Sequence, residues 1–291
     1  MFTGAMTALV TPFRGGEIDT HALVALVEDQ IAAGIHGLVP CGSTGEAATL
    51  THEEHIAVVH EVVRAARGRV PVIAGTGSNS TAEAIRLTRG AERAGADGAL
   101  LISPYYNKPT QEGIYLHYAA VAEATRLPLI VYNIPGRTAS NITPETMGRL
   151  ARVRNVVGVK EASGSLAQVI DIIAAAGPDF AVYAGDDILT LPMMAVGGKG
   201  VISVTANVAP REFVELADAL LVGDLERGRR VMSRLLPLVN TLTGLEVNPI
   251  PVKTAVALMG KCAEEFRLPL TCMSAASRAR LEKVLGEYGL V

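Results

Sequence analysis

The chain has only three cysteines in 291 residues, Cys41, Cys262 and Cys272, and none stands at a metal-site spacing from another. An odd, sparse set excludes a disulfide scaffold and suits a reducing compartment. An excess of positive charge is also missing, with 26 Lys+Arg against 29 Asp+Glu and a formal net charge of -3. The arginine groups Arg64, Arg67, Arg69 and Arg227, Arg229, Arg230 fall near expected helix ends, where cations favour the dipole. That balance argues against a nucleic-acid partner. No run of roughly twenty apolar residues is present, so no membrane span is expected. The mean hydropathy of +0.32 comes from scattered Ala, Val, Leu and Gly. The segment Met1–Val10 lacks the basic region of a signal peptide and reads directly as a strand, which predicts a soluble, cytoplasmic protein. Neither a strand–GxGxxG–helix unit nor an HExxH motif occurs.

What is present is a repeat of short apolar runs, at about 3–9, 37–40, 70–74, 98–102, 128–132, 156–160, 180–184 and 200–204. Helical periodicity fills most of the intervals. Leu23, Leu26, Val27 and Ile31 share one face, Thr51 with Glu54 and Ser80 with Glu83 predict capping boxes, and Thr143-Pro144 predicts a helix start. Ala33-Gly34 and Ala94-Gly95 predict helix stops. Strands joined by helical crossovers predict an α/β fold, a (β/α)8 TIM barrel over residues 1–224. An open doubly wound sheet is the rival arrangement. Helices are expected at 210–222, 225–240, 251–265 and 274–288, with 225–291 forming a C-terminal helical appendage.

The strand ends of a barrel face one shared pocket. Here they carry Gly42-Ser43-Thr44-Gly45-Glu46, Gly75-Thr76-Gly77, Ser103-Pro104-Tyr105-Tyr106, Tyr132-Asn133-Ile134-Pro135-Gly136-Arg137, Lys160-Glu161 and Gly185-Asp186-Asp187. Lys160 closes the apolar run Val156-Val157-Gly158-Val159. A partly desolvated amine there can lose its proton near neutral pH and form a Schiff base with a small keto acid; a lysine snorkelling past the rim is the plainer reading. Strand alternation puts Lys160, Gly158 and Val156 on one face, Val157 and Val159 on the other, and leaves space at Gly158 beneath the amine. Tyr132 shares its face with Ile130 and is either a proton relay or a packing aromatic. Ser43 and Thr44 either bond a carboxylate or the phenol, or cap local backbone, while Gly42 and Gly45 expose N–H groups to an anion. Arg137 suits a substrate carboxylate or a surface salt bridge. Of Tyr105 and Tyr106, one ring enters the site or both pack at a subunit contact. Asp186-Asp187 either caps the following helix or, with Glu46, suggests a metal, but no His/carboxylate cluster accompanies it. His52 and His55 share a helix face read as solvated or regulatory rather than as a zinc site.

These motifs, with Ile202-Ser203-Val204-Thr205-Ala206-Asn207, resemble the dihydrodipicolinate synthase family, within the superfamily that includes N-acetylneuraminate lyase. The resemblance runs from Met1 to Leu290. It implies condensation of pyruvate with L-aspartate 4-semialdehyde in lysine and diaminopimelate biosynthesis, through an imine on Lys160, with no metal or organic cofactor. It further implies a proton relay of Tyr132, Thr44 and a neighbouring subunit's Tyr106. Arg137 would bind the semialdehyde carboxylate, and Ser43 with the backbone at Gly185 and Ile202 would complete the pyruvate pocket. A homotetramer built as a dimer of dimers is implied, as is feedback by L-lysine at positions matching Ala48, His52, His55, Asn79, Glu83 and Tyr105. The chain departs from the pattern at Ser43, where Thr is common, and at Ala47, where Ser is common. Another Schiff-base lyase of the superfamily acting on a sugar acid or 2-keto-3-deoxy acid, a metal-dependent barrel aldolase and a non-catalytic sensor are the competing readings.

Overall fold

The computed structural model describes residues 2–291. Eight strands form one parallel sheet: β1 (Gly4–Ala8), β4 (Gly37–Val39), β5 (Ile73–Gly75), β6 (Gly98–Ile102), β7 (Leu129–Asn133), β8 (Val156–Glu161), β9 (Ala181–Ala184) and β10 (Gly200–Ser203). A two-residue hairpin, β2 (Phe13–Arg14) and β3 (Glu17–Ile18), lies outside it. The strand order is β4-β1-β10-β9-β8-β7-β6-β5, and a parallel bridge between Leu38 and Val72 joins its two ends. The sheet is therefore a barrel, and the open doubly wound alternative is set aside.

Helices fill the intervals between strands and follow the last one: α1 (Thr20–Ala32), α2 (His52–Ala66), α3 (Thr81–Arg93), α4 (Gln111–Glu123), the single turn α5 (Pro135–Thr138), α6 (Pro144–Leu150), α7 (Leu166–Ala176), α8 (Thr190–Ala195) and, after β10, α9 (Pro210–Leu221). Local chemistry fixes their ends. Thr51 and Glu54 form the reciprocal capping box at α2, and Gly34 and Gly95 follow α1 and α3 with positive φ. At α3 the box is only half made. Ser80 accepts from the Glu83 N–H, but the Glu83 carboxylate is drawn away to His52 and Ser78.

The appendage comprises α10 (Leu225–Gly244), α11 (Ile250–Leu258) and α12 (Ala275–Glu287). The helix expected over 251–265 stops at Leu258, ahead of Gly260 with φ +74°. The irregular segment that follows brings Arg267 back to the barrel, where it donates to both Glu54 oxygens at 2.8 and 2.6 Å. None of the described helices is long and apolar enough to cross a membrane.

The sharpest departure from the strand reading lies on β8. Leu129 pairs with Val156, whereas the next residue, Ile130, pairs with Gly158. Val157 is the extra residue of a β-bulge, which reverses alternation at the start of the strand. Val156 therefore joins the outer layer and Val157 the barrel interior, the opposite of the expectation. Gly158 does not leave space either. A Cβ there would stand 2.5 Å from the Ala181 carbonyl oxygen and 3.1 Å from the Tyr183 ring.

Barrel and appendage are joined by a fully buried ion pair, Lys253 Nζ to Glu46 Oε1 at 2.6 Å. The Lys253 amine also sits 4.0 Å from the Phe13 ring centroid, and the Arg267 N–H donates to Glu46 Oε2. Breaking one side of such a pair strands a buried charge. Lys253→Met should lower the unfolding free energy by about 3–5 kcal/mol, whereas Glu46→Leu with Lys253→Met should cost less than the single change. Equal urea midpoints for wild type and Lys253→Met would contradict this account of the junction.

Candidate active site

Strand pairing aligns the site laterally: Tyr132 on β7 is level with Lys160 on β8, which is level with Tyr183 on β9. Lys160 points inward, is 5 % exposed, and its Nζ lies 4.3 Å from the Tyr132 ring centroid. Burial pushes the amine down to about 8, Asp187 and Asp186 pull it upward, and Arg137 pushes it further down. An ammonium loses hydration there and gains no salt bridge among the described residues, so the neutral, nucleophilic form is accessible. Burial raises the Tyr132 phenol well above its usual range, which keeps it protonated and able to donate.

The Gly42–Glu46 turn is held by hydrogen bonds from Gly45 N–H to the Gly42 carbonyl and from Thr11 Oγ1 to the Gly45 carbonyl. A Cβ on Gly45 would stand 3.0 Å from both Cys41 N and Leu9 O, so the residue serves close packing. Its N–H is spent within the turn and is not offered to an anion. Cys41 and Glu46 flank the turn with φ of 56° and 54°, an uncommon conformation for residues with side chains. Thr44, 3 % exposed, is fixed by Asn248, whose Nδ2 donates to Thr44 Oγ1 at 3.0 Å. Arg137 Nη2 donates to the Asn248 carbonyl at 3.0 Å. One appendage residue thus touches both the hydroxyl and the guanidinium.

A cavity of about 440 Å³ at the strand exits is lined by Ser43, Thr44, Tyr132, Arg137, Lys160 and Gly185, with Asp186, Asp187, Val204, Glu246 and Asn248 among the others. Ile202 is not part of that lining. It lies fully buried in the barrel interior, and Val204 just beyond β10 faces the cavity instead. Tyr106 also stays outside. It is 88 % exposed, has φ of +73°, and lines neither this cavity nor its neighbour.

The neighbouring cavity, about 480 Å³, shares Gly42, Ser43, Tyr132, Arg137 and Asn248 with the first. It adds Ala47, Ala48, His52, His55, Glu83 and Tyr105, while Asn79 stays outside its wall. His52 Nε2 donates to Glu83 at 2.5 Å, and buried His55 donates to the Gly75 carbonyl at 2.7 Å. His55 therefore points inward, away from the solvated face that the helix pattern suggested, and burial lowers its basicity.

The carboxylates do not assemble a metal site. Glu46 faces Lys253, and no group of three or more metal-ligating side chains occurs among the described residues. Nor do the two aspartates cap a helix: Asp187 is buried and accepts from the Thr205 N–H at 2.7 Å, and Asp186 makes no capping bond. Asn248 and Lys253 were missed in the sequence because their partners are far away along it: Thr44 and Glu46 precede them by 204 and 207 residues, and Arg137 precedes Asn248 by 111.

The family model for "Dihydrodipicolinate synthetase family" matches residues 1–288. The chain is 55 % identical over 291 residues to the 4-hydroxy-tetrahydrodipicolinate synthase of Syntrophus aciditrophicus, covering all of both chains. Among solved structures, dihydrodipicolinate synthase from Acinetobacter baumannii complexed with pyruvate superposes with a TM-score of 0.98 at 44 % identity, covering 100 % of both chains. The Cyanidioschyzon merolae enzyme with lysine bound gives 0.96 at 42 %, covering 100 % of this chain and 99 % of that one.

The lowered Lys160 basicity has a direct consequence. Its labelling by an amine-directed reagent, followed by peptide mapping, should rise with pH through a midpoint near 8. A midpoint near 10 would mean that the amine is solvated as an ordinary lysine.

Proposed function

The chain belongs to the dihydrodipicolinate synthetase family, and from that membership we propose that it is a Schiff-base-forming enzyme condensing pyruvate with L-aspartate 4-semialdehyde in lysine and diaminopimelate biosynthesis. The observation that carries the reading is the buried, poorly basic Lys160 amine in a cavity shared with Tyr132, Thr44 and Arg137. We assign the reaction to the cytoplasm, the catalytic barrel to 1–224 and the buttressing helical domain to 225–291.

The neutral Nζ adds to the pyruvate keto carbon, and loss of water gives an imine. Its positive charge makes the methyl protons acidic, so a modest base removes one and leaves an enamine. The enamine carbon attacks the aldehyde, whose oxygen takes up a proton. The acceptor's own amine then adds to the former keto carbon, and the bond to Nζ breaks, which closes the ring and returns Lys160. Tyr132 and Thr44 carry protons in these steps; Asn248 holds the Thr44 hydroxyl in register. Ser43 and the Gly185 backbone border the pyruvate position, with Ile202 supporting it from beneath. Arg137, at the junction of the two cavities, takes the semialdehyde carboxylate. No cofactor enters any of these steps.

Tyr106 completes the relay from a neighbouring subunit of a homotetramer arranged as a dimer of dimers. Its exposure outside its own cavity supports this assignment. The second cavity is proposed as the L-lysine site: Glu83 and His52 present charge and a polar ring, and Ala48, His55 and Tyr105 form the wall. Asn79 contributes from its rim through the loop it holds with Asn107. Activity that is unchanged across an L-lysine titration would remove this regulatory assignment.

Arg137→Ala should lower kcat/KM for the semialdehyde about a hundredfold while changing imine formation with pyruvate far less. Equal losses in both steps would refute its role in acceptor binding. Co-expressing Lys160→Ala with Tyr106→Phe chains should give mixed dimers with one intact site, restoring roughly a quarter of wild-type activity. No recovery would place Tyr106 outside the partner's site.

A further inference from the structure

Three carboxylates line the cavity that holds Lys160 and Arg137, and their situations differ. Asp187 is buried; its Oδ2 accepts the Thr205 N–H, and its Oδ1, without a hydrogen-bond partner, is shut away from solvent. Glu246 is engaged by the appendage, accepting from both the N–H and the hydroxyl of Ser274. Asp186 is half-buried and has neither a side-chain hydrogen bond nor an ion pair among the described residues. A carboxylate that loses part of its hydration without gaining a donor is unfavourable, and burial raises its affinity for a proton accordingly. Asp186 thus offers the cavity a carboxylate with neither oxygen bonded, on a wall that the exposed Arg137 also lines.

The acceptor assigned above is an amino-acid aldehyde, with two charged ends to be matched within one small cavity. We propose that Asp186 binds the α-ammonium of the acceptor while Arg137 takes its carboxylate, so that the two side chains together select an amino aldehyde over one without the amine. This rests on the reading that L-aspartate 4-semialdehyde is the acceptor. The ammonium offers three N–H donors and the carboxylate oxygens are acceptors only, so each satisfies what the other lacks. Asp186 is not the principal counter-charge to Lys160, because Asp187 acts more strongly on that amine. Its free oxygens are left for a ligand.

The test compares two aldehydes. L-Aspartate 4-semialdehyde is assayed as substrate, and succinic semialdehyde, which keeps the carboxylate and aldehyde but has no amine, as a competitive inhibitor. Asp186→Ala should lower kcat/KM for the amino aldehyde about tenfold or more and leave the inhibition constant of succinic semialdehyde within about threefold. Asp186→Asn, which keeps the shape and one acceptor oxygen, should fall between Asp186→Ala and wild type. Equal weakening toward both aldehydes, or none toward either, overturns the proposal. Loss of the pyruvate adduct on Lys160 in both variants also overturns it, by assigning Asp186 to the amine itself. Wild-type enzyme that forms the pyruvate adduct but does not consume L-aspartate 4-semialdehyde would instead refute the acceptor assignment on which the proposal stands.

Discussion

Lys160 stays weakly basic because the barrel wall gives its ammonium little water and no ion pair in return, and the rest of the site is arranged around that deficit. Eight parallel strands close on one another, so their exits converge and residues on adjacent strands meet across the pocket. Tyr132 and Lys160 meet in this way because their strands are in register there. The bulge at Val157 lies beneath them and restores the inward direction of Gly158 and Lys160. Asp187 and Asp186 limit how far the basicity falls, and Arg137 opposes them. A balance near 8 leaves a usable fraction of neutral amine at physiological pH while still permitting the charged imine to form.

The appendage is part of this arrangement. Glu46 ends the turn that carries Ser43 and Thr44, and its carboxylate is anchored by Lys253 on α11. Asn248, just before that helix, fixes the Thr44 hydroxyl and the Arg137 guanidinium. Arg267 ties the segment after α11 to Glu54 at the start of α2. Of these contacts the Glu46–Lys253 pair is the costliest to break, because both charges are fully buried and neither has water to fall back on. The elements that place the cavity's polar side chains are therefore held from two directions, by the sheet below and by the helices above.

Much of this could be read from the chain. Apolar runs at regular intervals gave the strands, and the polar groups ending them gave Lys160, Tyr132, Thr44, Arg137 and Gly185 in the cavity. Local signals were dependable where the interaction is local, as with the Thr51–Glu54 capping box. They failed where a distant partner competed: Glu83 left its capping box for His52, and His55 turned inward to Gly75. The bulge was invisible because Val156 and Val157 are chemically identical, and only pairing with β7 decides which faces in. Asn248 and Lys253 likewise acquire meaning only when the appendage folds over the barrel. Ile202 was placed at the pocket by motif, whereas the turn of the chain after β10 gives that wall to Val204.

The claim on which the account depends is that a keto acid becomes covalently joined to Lys160. Intact mass after mixing the protein with pyruvate and borohydride, followed by peptide mapping and the same treatment of Lys160→Ala, tests it most directly. A single reduced pyruvate adduct on the peptide containing Lys160, absent from the variant, is the result expected. Active, folded protein that carries no adduct, or carries it on another lysine, would contradict the account.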